Sequence, residues 1–370
     1  LHAHQRAADY SVTRTRFGRL ALAIEIVVLL AFTLGGGLQA LHDFWSPQLQ
    51  GVWYGVALIV SVMAISGLID LPLSLYMQFV IEERFGFNRM TLRLFIVDLI
   101  KQLALGLAIG TPVLLAVLWL MAQMGERWWL YVWLFWCSFN LLILFVYPTW
   151  IAPLFNRFTP LEDAALKERI EALLSRCGFS SSGLFVMDGS KRSAHGNAYF
   201  TGFGRTKRIV FSDTLLGKLQ PEEVEAVLAH ELGHFHHRHI VKRIVLIFGT
   251  TLILLFALWQ LMQTDWFYTG LGVSGDDAHN MAMALILFFL TVPVFAFLTT
   301  PLASLLSRRH EFEADRYAAS HASAPDLVKA LVKLYEDNAA TLTPDPLHSL
   351  FYDSHPPAAL RISRLSGLAT

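Results

Sequence analysis

Two histidines one helical turn apart carry the chemistry that this sequence offers most clearly. His230 and His234 enclose Glu231 in an HExxH pattern. Positions i and i+4 of a helix lie on one face, so the two imidazoles can converge on one divalent ion such as zinc. The Glu231 carboxylate can then reach a water on the metal rather than the metal itself. The pattern predicts a hydrolytic zinc site with Glu231 as general base; the alternative is a chance match on a histidine-rich helix.

The residues before this pattern predict that the segment is helical. Pro221 suits a first helical position, and Glu222 and Glu223 suit the positive end of the helix dipole. Apolar residues follow at helical spacing. A helix is therefore expected to aim both imidazoles at one point.

A second pair of residues four apart, Glu311 and Asp315, can complete the site. A gluzincin-type site takes its third ligand from a glutamate on a second helix and leaves the fourth position to water. We predict that Glu311 is this ligand and that Asp315 accepts the free ring N–H of a ligating histidine. Glu313 points away from that face and is assigned a structural role. The alternative for the whole segment is a solvated acidic helix start.

The composition indicates a polytopic membrane protein. Of the 370 residues, 55% are apolar and 16% charged, and 27 are Phe. The formal net charge is zero, which argues against a nucleic-acid partner. The two cysteines, Cys137 and Cys177, are too few for a cysteine-ligated zinc and are not expected to form a disulfide.

Hydropathy divides the chain into four parts. Residues 1–156 hold a polar N-terminal segment and four apolar spans, at about 20–41, 44–80, 99–124 and 128–151. Residues 157–239 form a polar catalytic region with a helix-like stretch at 161–176, strand-like runs at 184–187, 198–201 and 208–211, and the HExxH helix. Two further spans, about 244–264 and 281–306, lie in 240–306, and the polar C-terminal region 307–370 contains Glu311. We predict a mainly α, polytopic helical membrane protein with a small α+β catalytic region.

The distribution of basic residues gives an orientation. Lys and Arg concentrate in 1–19, 81–98, 157–239 and the C-terminal region, whereas the connections 42–50 and 265–279 have none. By the positive-inside rule, every polar segment with a candidate site residue lies on the cytoplasmic side. The HExxH helix and Glu311 are thus predicted to share one compartment.

The predicted chemistry is peptide-bond hydrolysis without a covalent intermediate. A zinc ion held by His230, His234 and Glu311 would activate water, and Glu231 would transfer its proton to the leaving amine. The strand-like run that begins at Asn197 could hold an extended substrate through its main chain, but the residues alone favour an ordinary structural hairpin.

Several blocks of the chain, taken together, resemble the type I CAAX prenyl proteases, which are integral-membrane zinc metalloproteases with a gluzincin site. They occur in order from about residue 82 to 362. The matching blocks are Gly86-Phe87-Asn88, Tyr147-Pro148, Ile151-Ala152-Pro153-Leu154-Phe155-Asn156, Gly189-Ser190-Lys191-Arg192-Ser193, Asn197-Ala198-Tyr199-Phe200-Thr201-Gly202, Arg208-Ile209-Val210, Asp213-Thr214-Leu215, the HExxH helix, Ser307-Arg308-Arg309, and His355-Pro356-Pro357 with Arg361.

The resemblance implies a ring of helices around an intramembrane chamber, with the zinc site at its cytoplasmic end. It assigns one Zn²⁺ to His230, His234 and Glu311, the catalytic base to Glu231, and support of the site to Asp315. It places Asn197, Ala198 and Tyr199 on the substrate-binding edge, and His355 and Arg361 in contact with the substrate or transition state. The family usually has seven membrane helices against the six spans of this sequence, so the resemblance suggests that a first helix precedes it.

The resemblance further implies a prenylated CAAX substrate that loses its last three residues, a lipid environment and a monomeric protein. Two alternatives remain open: a quality-control metalloprotease acting on unfolded membrane proteins, and a metal-binding membrane transporter or scaffold. Ionisable residues lie at the cytoplasmic ends of the spans, which argues against a transporter. His236, His237 and His239 could form a second, weak metal site or lie at the membrane interface.

Overall fold

Long apolar helices make up most of the structure, which is a computed structural model describing residues 2–201, 208–275, 278–339, 341, 344–353 and 355–368. Among the described residues, five helical segments are long and apolar enough to cross a membrane: Gly51–Glu82, Leu92–Gln123, Gly125–Phe155, His239–Leu261 and Met281–His321. A bent pair of helices counts as a sixth if its two parts form one span. This confirms the predicted mainly α membrane fold.

The membrane helices come in two groups along the chain, separated by the polar catalytic region. In chain order the α-helices are α1 (His2–Phe32), α2 (Gly37–Trp45), α3 (Gly51–Tyr76), α4 (Leu92–Leu105), α5 (Thr111–Gln123), α6 (Trp128–Val146), α7 (Ala152–Phe155), α8 (Ala164–Arg176), α9 (Asp213–Leu216), α10 (Pro221–His236), α11 (His239–Leu261), α12 (Asp265–Thr269), α13 (Met281–Ala296), α14 (Thr300–His321), α15 (Ala324–Asp337), α16 (Pro346–Tyr352) and α17 (Ala358–Leu368). One-turn π-helical segments at Met77–Glu82, Gly106–Gly110 and Tyr147–Ile151 continue α3, α4 and α6.

Glycines explain why the first predicted span is bent. Helices α1 and α2 meet at 50° across the sequence Gly35-Gly36-Gly37. Gly36 has φ +77°, a left-handed conformation that glycine adopts without steric cost. A Cβ on Gly35 would lie 2.8 Å from the carbonyl oxygen of Ala31. The helix also starts much earlier than the apolar run, since α1 includes most of the polar N-terminal segment.

The described part of the polar region contains one small mixed sheet. Its strands are β1 (Phe158–Pro160), β2 (Leu184–Met187), β3 (Ala198–Thr201) and β4 (Arg208–Ser212), in the order β1-β2-β4-β3. β2 and β4 are parallel, while β1 and β3 pair antiparallel at the two edges. The three strands predicted from sequence are confirmed, and β3 is an edge strand. Gly202, the last residue of the block that contains β3, lies outside the described residues.

The polar segments gather at one end of the helices. Ala7 and Tyr10 of α1 share an apolar cluster with Ile81, Phe85 and Phe87, and Ala339 closes it from the C-terminal region. The loop after α3 also forms an isolated bridge to the catalytic region at Asn88 and Ser193. This arrangement fits the prediction that these segments lie on one side of the membrane.

Candidate active site

The HExxH residues lie on α10, which is buried on most of its surface. Its start is defined by Pro221 and by Glu223, whose carboxylate accepts a hydrogen bond from the Gln220 backbone N–H at 2.8 Å. Lys333 of α15 also donates to Glu223 at 2.7 Å. His230 is 7% exposed and its apolar neighbours belong to the core of the catalytic region. The helix is therefore held in place from its first turn to the face that carries His230 and His234.

A glycine lets the second helix approach closely. Gly233 packs against α14, where a Cβ added to it would lie 2.8 Å from the Ala314 Cα and 3.0 Å from the Ala314 carbonyl oxygen. Helix α14 continues directly from the membrane span that begins at Met281. Close packing of α10 on α14 brings Glu311 to the face that carries the two histidines.

The three predicted ligands form a compact triangle. His230 Nε2 lies 3.2 Å from His234 Nε2, and Glu311 Oε2 and Oε1 lie 3.6 Å and 3.5 Å from these nitrogens respectively. A tetrahedral zinc with bonds of about 2.0–2.2 Å separates its ligand atoms by about 3.3–3.6 Å. The two distances to Glu311, which end on different oxygens of its carboxylate, fall in this range, and the distance between the two nitrogens is 0.1 Å below it.

The chemistry of the ligand atoms also fits a metal. Within the described residues, Glu311 Oε2 is buried and has no well-formed hydrogen bond, although His355 Nδ1 lies 2.9 Å away. Burial, together with the charge of His230, lowers the pKa of His234 to about 3, so its imidazole is neutral, which is the form that binds metals. Burial also lowers the pKa of His230, but Asp315 and Glu311 outweigh it and raise the pKa to about 9. The negative charge that favours a proton on His230 would also favour a divalent cation at its Nε2 in place of that proton.

Asp315 and Arg361 support His230 from behind. The Nδ1 atom of His230 is 2.9 Å from Asp315 Oδ1, which leaves Nε2 for the metal position. Arg361 donates to both Asp315 oxygens, from Nε at 2.9 Å and from Nη2 at 2.6 Å, and its Nη1 lies 3.4 Å from Glu311 Oε2. The hydrogen bonds and charge of Asp315 outweigh burial and raise the pKa of Arg361. The Arg361 guanidinium is thus directed at Asp315 and Glu311.

Glu231 and His355 both interact with the candidate ligands: Glu231 through the charges of His230 and Glu311, and His355 through its contact with Glu311. Burial raises the pKa of Glu231 above its ordinary value, and the charges of His230 and Glu311 act on it in opposite directions. His355 has a side chain that is 61% exposed while its Nδ1 stays 2.9 Å from Glu311. A partly buried carboxyl, next to His230 in the chain, and an exposed imidazole, 2.9 Å from Glu311, therefore accompany the three candidate ligands.

The predicted substrate strand lies beside the HExxH helix. β3 pairs with β4 from Ala198 to Thr201, and Tyr199 faces Val210 in this pairing. The Phe200 ring packs on Phe235, the residue after His234, with ring centroids 4.8 Å apart. Asn197, at the start of β3, is exposed. The structure thus puts the predicted edge and the metal helix in direct contact.

Two residues near the site have contacts that the sequence did not reveal. His239 Nδ1 lies 2.9 Å from His234 Nδ1, and its Nε2 lies 2.9 Å from Glu313 Oε2. Glu313, assigned a structural role from its position on the helix, is therefore linked to the candidate ligand His234 through His239. The sequence did not reveal the contact between His234 and His239 because the two residues lie on different helices, α10 and α11.

A multi-span helical protein with an HExxH helix packed on a glutamate-bearing helix has the construction of a membrane metalloprotease. Comparison with known proteins agrees. Residues 1–157 match the family model described as CAAX prenyl protease N-terminal, five membrane helices, and residues 160–369 match Peptidase family M48. The chain belongs to the M48 metallopeptidases, in the group with a CAAX prenyl protease N-terminal domain.

Similar proteins span most of the chain. It is 40% identical to the CAAX prenyl protease 1 homolog of Arabidopsis thaliana over 85% of this chain and 74% of that protein. It is also 40% identical to CAAX prenyl protease 1 of Saccharomyces cerevisiae, over 82% and 70%. The crystal structure of S. mikatae Ste24p superposes with a TM-score of 0.91 at 33% identity, covering 98% of this chain and 89% of that one.

Proposed function

We propose that the protein is a zinc-dependent membrane endopeptidase that removes the C-terminal tripeptide of prenylated CAAX proteins. The observation that carries this proposal is the ligand triangle of His230, His234 and Glu311, with edges of 3.2–3.6 Å. Two imidazoles and one carboxylate are the ligand set of gluzincin-type zinc enzymes. The names of the similar proteins support the substrate class.

Zinc bound at this triangle would lower the pKa of a water and polarise the substrate carbonyl. Glu231 accepts the proton of the attacking water and passes it to the leaving nitrogen, a role worth roughly 10²–10⁴ in rate. Burial raises the pKa of Glu231, which favours the protonated form that donates to the leaving nitrogen. His355 is exposed and close enough to Glu311 to donate a hydrogen bond to the substrate carbonyl oxygen as charge develops on it.

Asp315 and Arg361 orient the ligands. Asp315 fixes the tautomer of His230, and Arg361 compensates the charge of Asp315 while it approaches Glu311. Arg361 has two hydrogen bonds to Asp315, so we assign it a positioning role and leave contact with the substrate to His355.

The exposed side of β3 would hold the peptide. An edge strand offers unpaired main-chain groups to an extended substrate, and alternate side chains set its register. Asn197, Ala198 and Tyr199 form the part of this edge nearest to the start of the strand. Contact between Phe200 and Phe235 keeps the edge at a fixed distance from His234.

The site lies on the cytoplasmic side in this proposal. The basic segments concentrate at the end of the helices where the catalytic region lies, as the positive-inside rule requires. One chain supplies all three ligands and the base, so a monomer in the lipid bilayer suffices.

The proposal is tested with purified protein and two peptides that differ only in a farnesyl group on the CAAX cysteine. Glu231→Gln should retain bound zinc and lose cleavage of the farnesylated peptide by at least about 10²-fold. Glu222→Gln, on the first turn of the same helix, is the matched control and should cleave normally. Undiminished cleavage by Glu231→Gln would overturn the mechanism. Equal cleavage of both peptides would favour a quality-control protease instead.

A further inference from the structure

A line of hydrogen bonds leaves the metal triangle through its second histidine. His234 Nδ1 lies 2.9 Å from His239 Nδ1, and His239 Nε2 lies 2.9 Å from Glu313 Oε2. Arg309 closes the line with its Nε 3.0 Å from Glu313 Oε1. The line joins three helices, since His234 lies on α10, His239 on α11, and Glu313 and Arg309 on α14.

The backbone between α10 and α11 is shaped to bring His239 back to His234. Arg238, directly before His239, has φ +56°, in the left-handed region that non-glycine residues seldom adopt. This turn ends one helix and starts the next within three residues, with His239 as the first residue of α11. Residues held in such a sparsely populated backbone conformation are often found at functional sites.

The protons along this line have one consistent arrangement. His234 directs Nε2 at the metal position, so its hydrogen is on Nδ1 and is donated to His239 Nδ1. His239 then carries its own hydrogen on Nε2 and donates it to the Glu313 carboxylate. Arg309 balances the charge of Glu313. Every donor meets an acceptor, and the line ends on an ion pair.

We propose that His239 and Glu313 are positioning residues that fix the tautomer and ring orientation of His234 and make it a more basic metal ligand. Asp315 does the same for His230, so each of the two histidines would have its own supporting carboxylate, one direct and one relayed through an imidazole. The inference rests on the proposed function, because it takes His234 to be a zinc ligand.

A second metal at the same residues is a competing interpretation. His239, His310 and Glu313 offer ligand atoms that lie within 4.8 Å of one another. The His239 and His310 rings, however, are stacked at 3.9 Å with planes 14° apart. Imidazole lone pairs lie in the ring plane, and a zinc about 2.0–2.1 Å from each nitrogen cannot lie in two nearly parallel planes this far apart. The observed geometry favours the positioning role.

The test measures zinc affinity by competition with a chelator, in the full-length protein. His239→Ala and Glu313→Ala should each weaken zinc binding by about 10–100-fold. Glu313→Gln keeps an acceptor for His239 and should fall between Glu313→Ala and the wild type. In the cobalt-substituted protein, the visible absorption bands should shift in His239→Ala, because the orientation of His234 changes; a general loss of stability would not shift them.

Two histidines near the line serve as controls. His310→Phe keeps a ring stacked on His239 but removes the nitrogen, and His236→Ala changes an exposed member of the same histidine tract. Both should bind one zinc with wild-type affinity. If His310→Phe instead loses a second equivalent of zinc, the second-metal interpretation replaces the positioning role.

The remaining outcomes separate this inference from the function on which it rests. If the wild type binds one zinc that His230→Ala abolishes, while Glu313→Ala and His239→Ala bind it within about twofold of wild type, the positioning role is wrong and the proposed site stands. If the wild type binds no zinc, the proposed function itself fails. If His239→Ala does not fold, the zinc affinities of His239→Gln, Glu313→Ala and Glu313→Gln test the positioning role in its place.

Discussion

Asp98 and Arg192 form a two-point ion pair between a membrane helix and the catalytic region. Arg192 Nε donates to Asp98 Oδ2 at 2.8 Å and Nη2 donates to Oδ1 at 3.0 Å. Arg192 Nη1 also reaches Asn156 Oδ1 at 2.9 Å, at the end of another span. The Asp98 and Arg192 side chains are 7% and 19% exposed respectively. One arginine in the loop between β2 and β3 therefore fixes the position of this loop relative to two membrane segments.

Arg192→Ala should destabilise the protein, because it leaves the Asp98 carboxylate buried without its partner. Removing one member of a buried pair costs about 3–5 kcal/mol, and the partial exposure of Arg192 places the expected loss near the lower value. Thermal unfolding in detergent measures it. Lys191→Ala is the control, since its pair with Asp188 is more exposed and should contribute no more than about 1 kcal/mol. Equal shifts in the two variants would contradict the structural role of the pair.

Gly233→Ala should weaken metal binding without touching a ligand. The added methyl group would meet the Ala314 backbone at 2.8–3.0 Å, so α10 and α14 must separate and the triangle of ligand atoms must widen. Overpacking of this kind costs about 1–3 kcal/mol. Chelator competition and thermal unfolding should both register the change.

Gly249→Ala is the matched control for that substitution. Gly249 lies in α11 with nothing within 4 Å of an added Cβ, and an alanine there should be neutral or stabilising by up to about 1 kcal/mol. A Gly233→Ala variant with unchanged zinc affinity would show that the close contact does not set the ligand geometry.

Zinc removal should lower the melting temperature of the wild type. A ligand present at about a hundred times its dissociation constant stabilises a protein by about 2.7 kcal/mol, and this is lost on chelation. Glu311→Gln should melt at the same temperature with and without chelator, because it lacks the carboxylate that completes the triangle. A chelator effect of equal size in Glu311→Gln would assign the bound metal to another place.

Local patterns in the sequence predicted the metal triangle and the spans because their signals are short-range. HExxH puts His230 and His234 on one helical face by geometry alone, and long apolar runs identify membrane helices without tertiary information. The four-residue spacing of Glu311 and Asp315 likewise puts both carboxylates on one helical face. The three strands were visible because they are short apolar runs bounded by turn residues.

Contacts between distant elements could not be read from the sequence. The hydrogen bond between His239 and Glu313 depends on the turn at Arg238 and on the contact between α11 and α14. The sequence pattern of one helix cannot predict either of them. Asp98 looked like part of a polar loop next to a span, and only the fold brings Arg192 to it. The bend between α1 and α2 was encoded by three glycines, but the length of the apolar run concealed it.

His195 should make the stability of the protein depend on pH. It contacts three neighbours: its Nε2 lies 3.8 Å from Glu82 Oε2, its Nδ1 lies 2.7 Å from Asn338 Oδ1, and its ring stacks on Phe87. Glu82 and, to a smaller extent, Asn338 raise the pKa of His195, while burial and the charge of Lys218 act against it. The protonated imidazole is therefore favoured in the folded protein.

A histidine whose pKa is raised on folding stabilises the protein fully below its unfolded pKa of about 6.5, and this contribution is lost as pH rises through the folded value. His195→Gln should thus lower the melting temperature most at about pH 5.5, and the difference from wild type should shrink towards about pH 9. His4→Gln, at an exposed position of α1, should show no such trend. A His195→Gln deficit that is constant over this range would contradict the role of the Glu82 charge. It would assign the contribution of His195 to stacking on Phe87 and to the hydrogen bond that Nδ1 donates to Asn338 Oδ1, because a neutral imidazole with its hydrogen on Nδ1 makes both contacts.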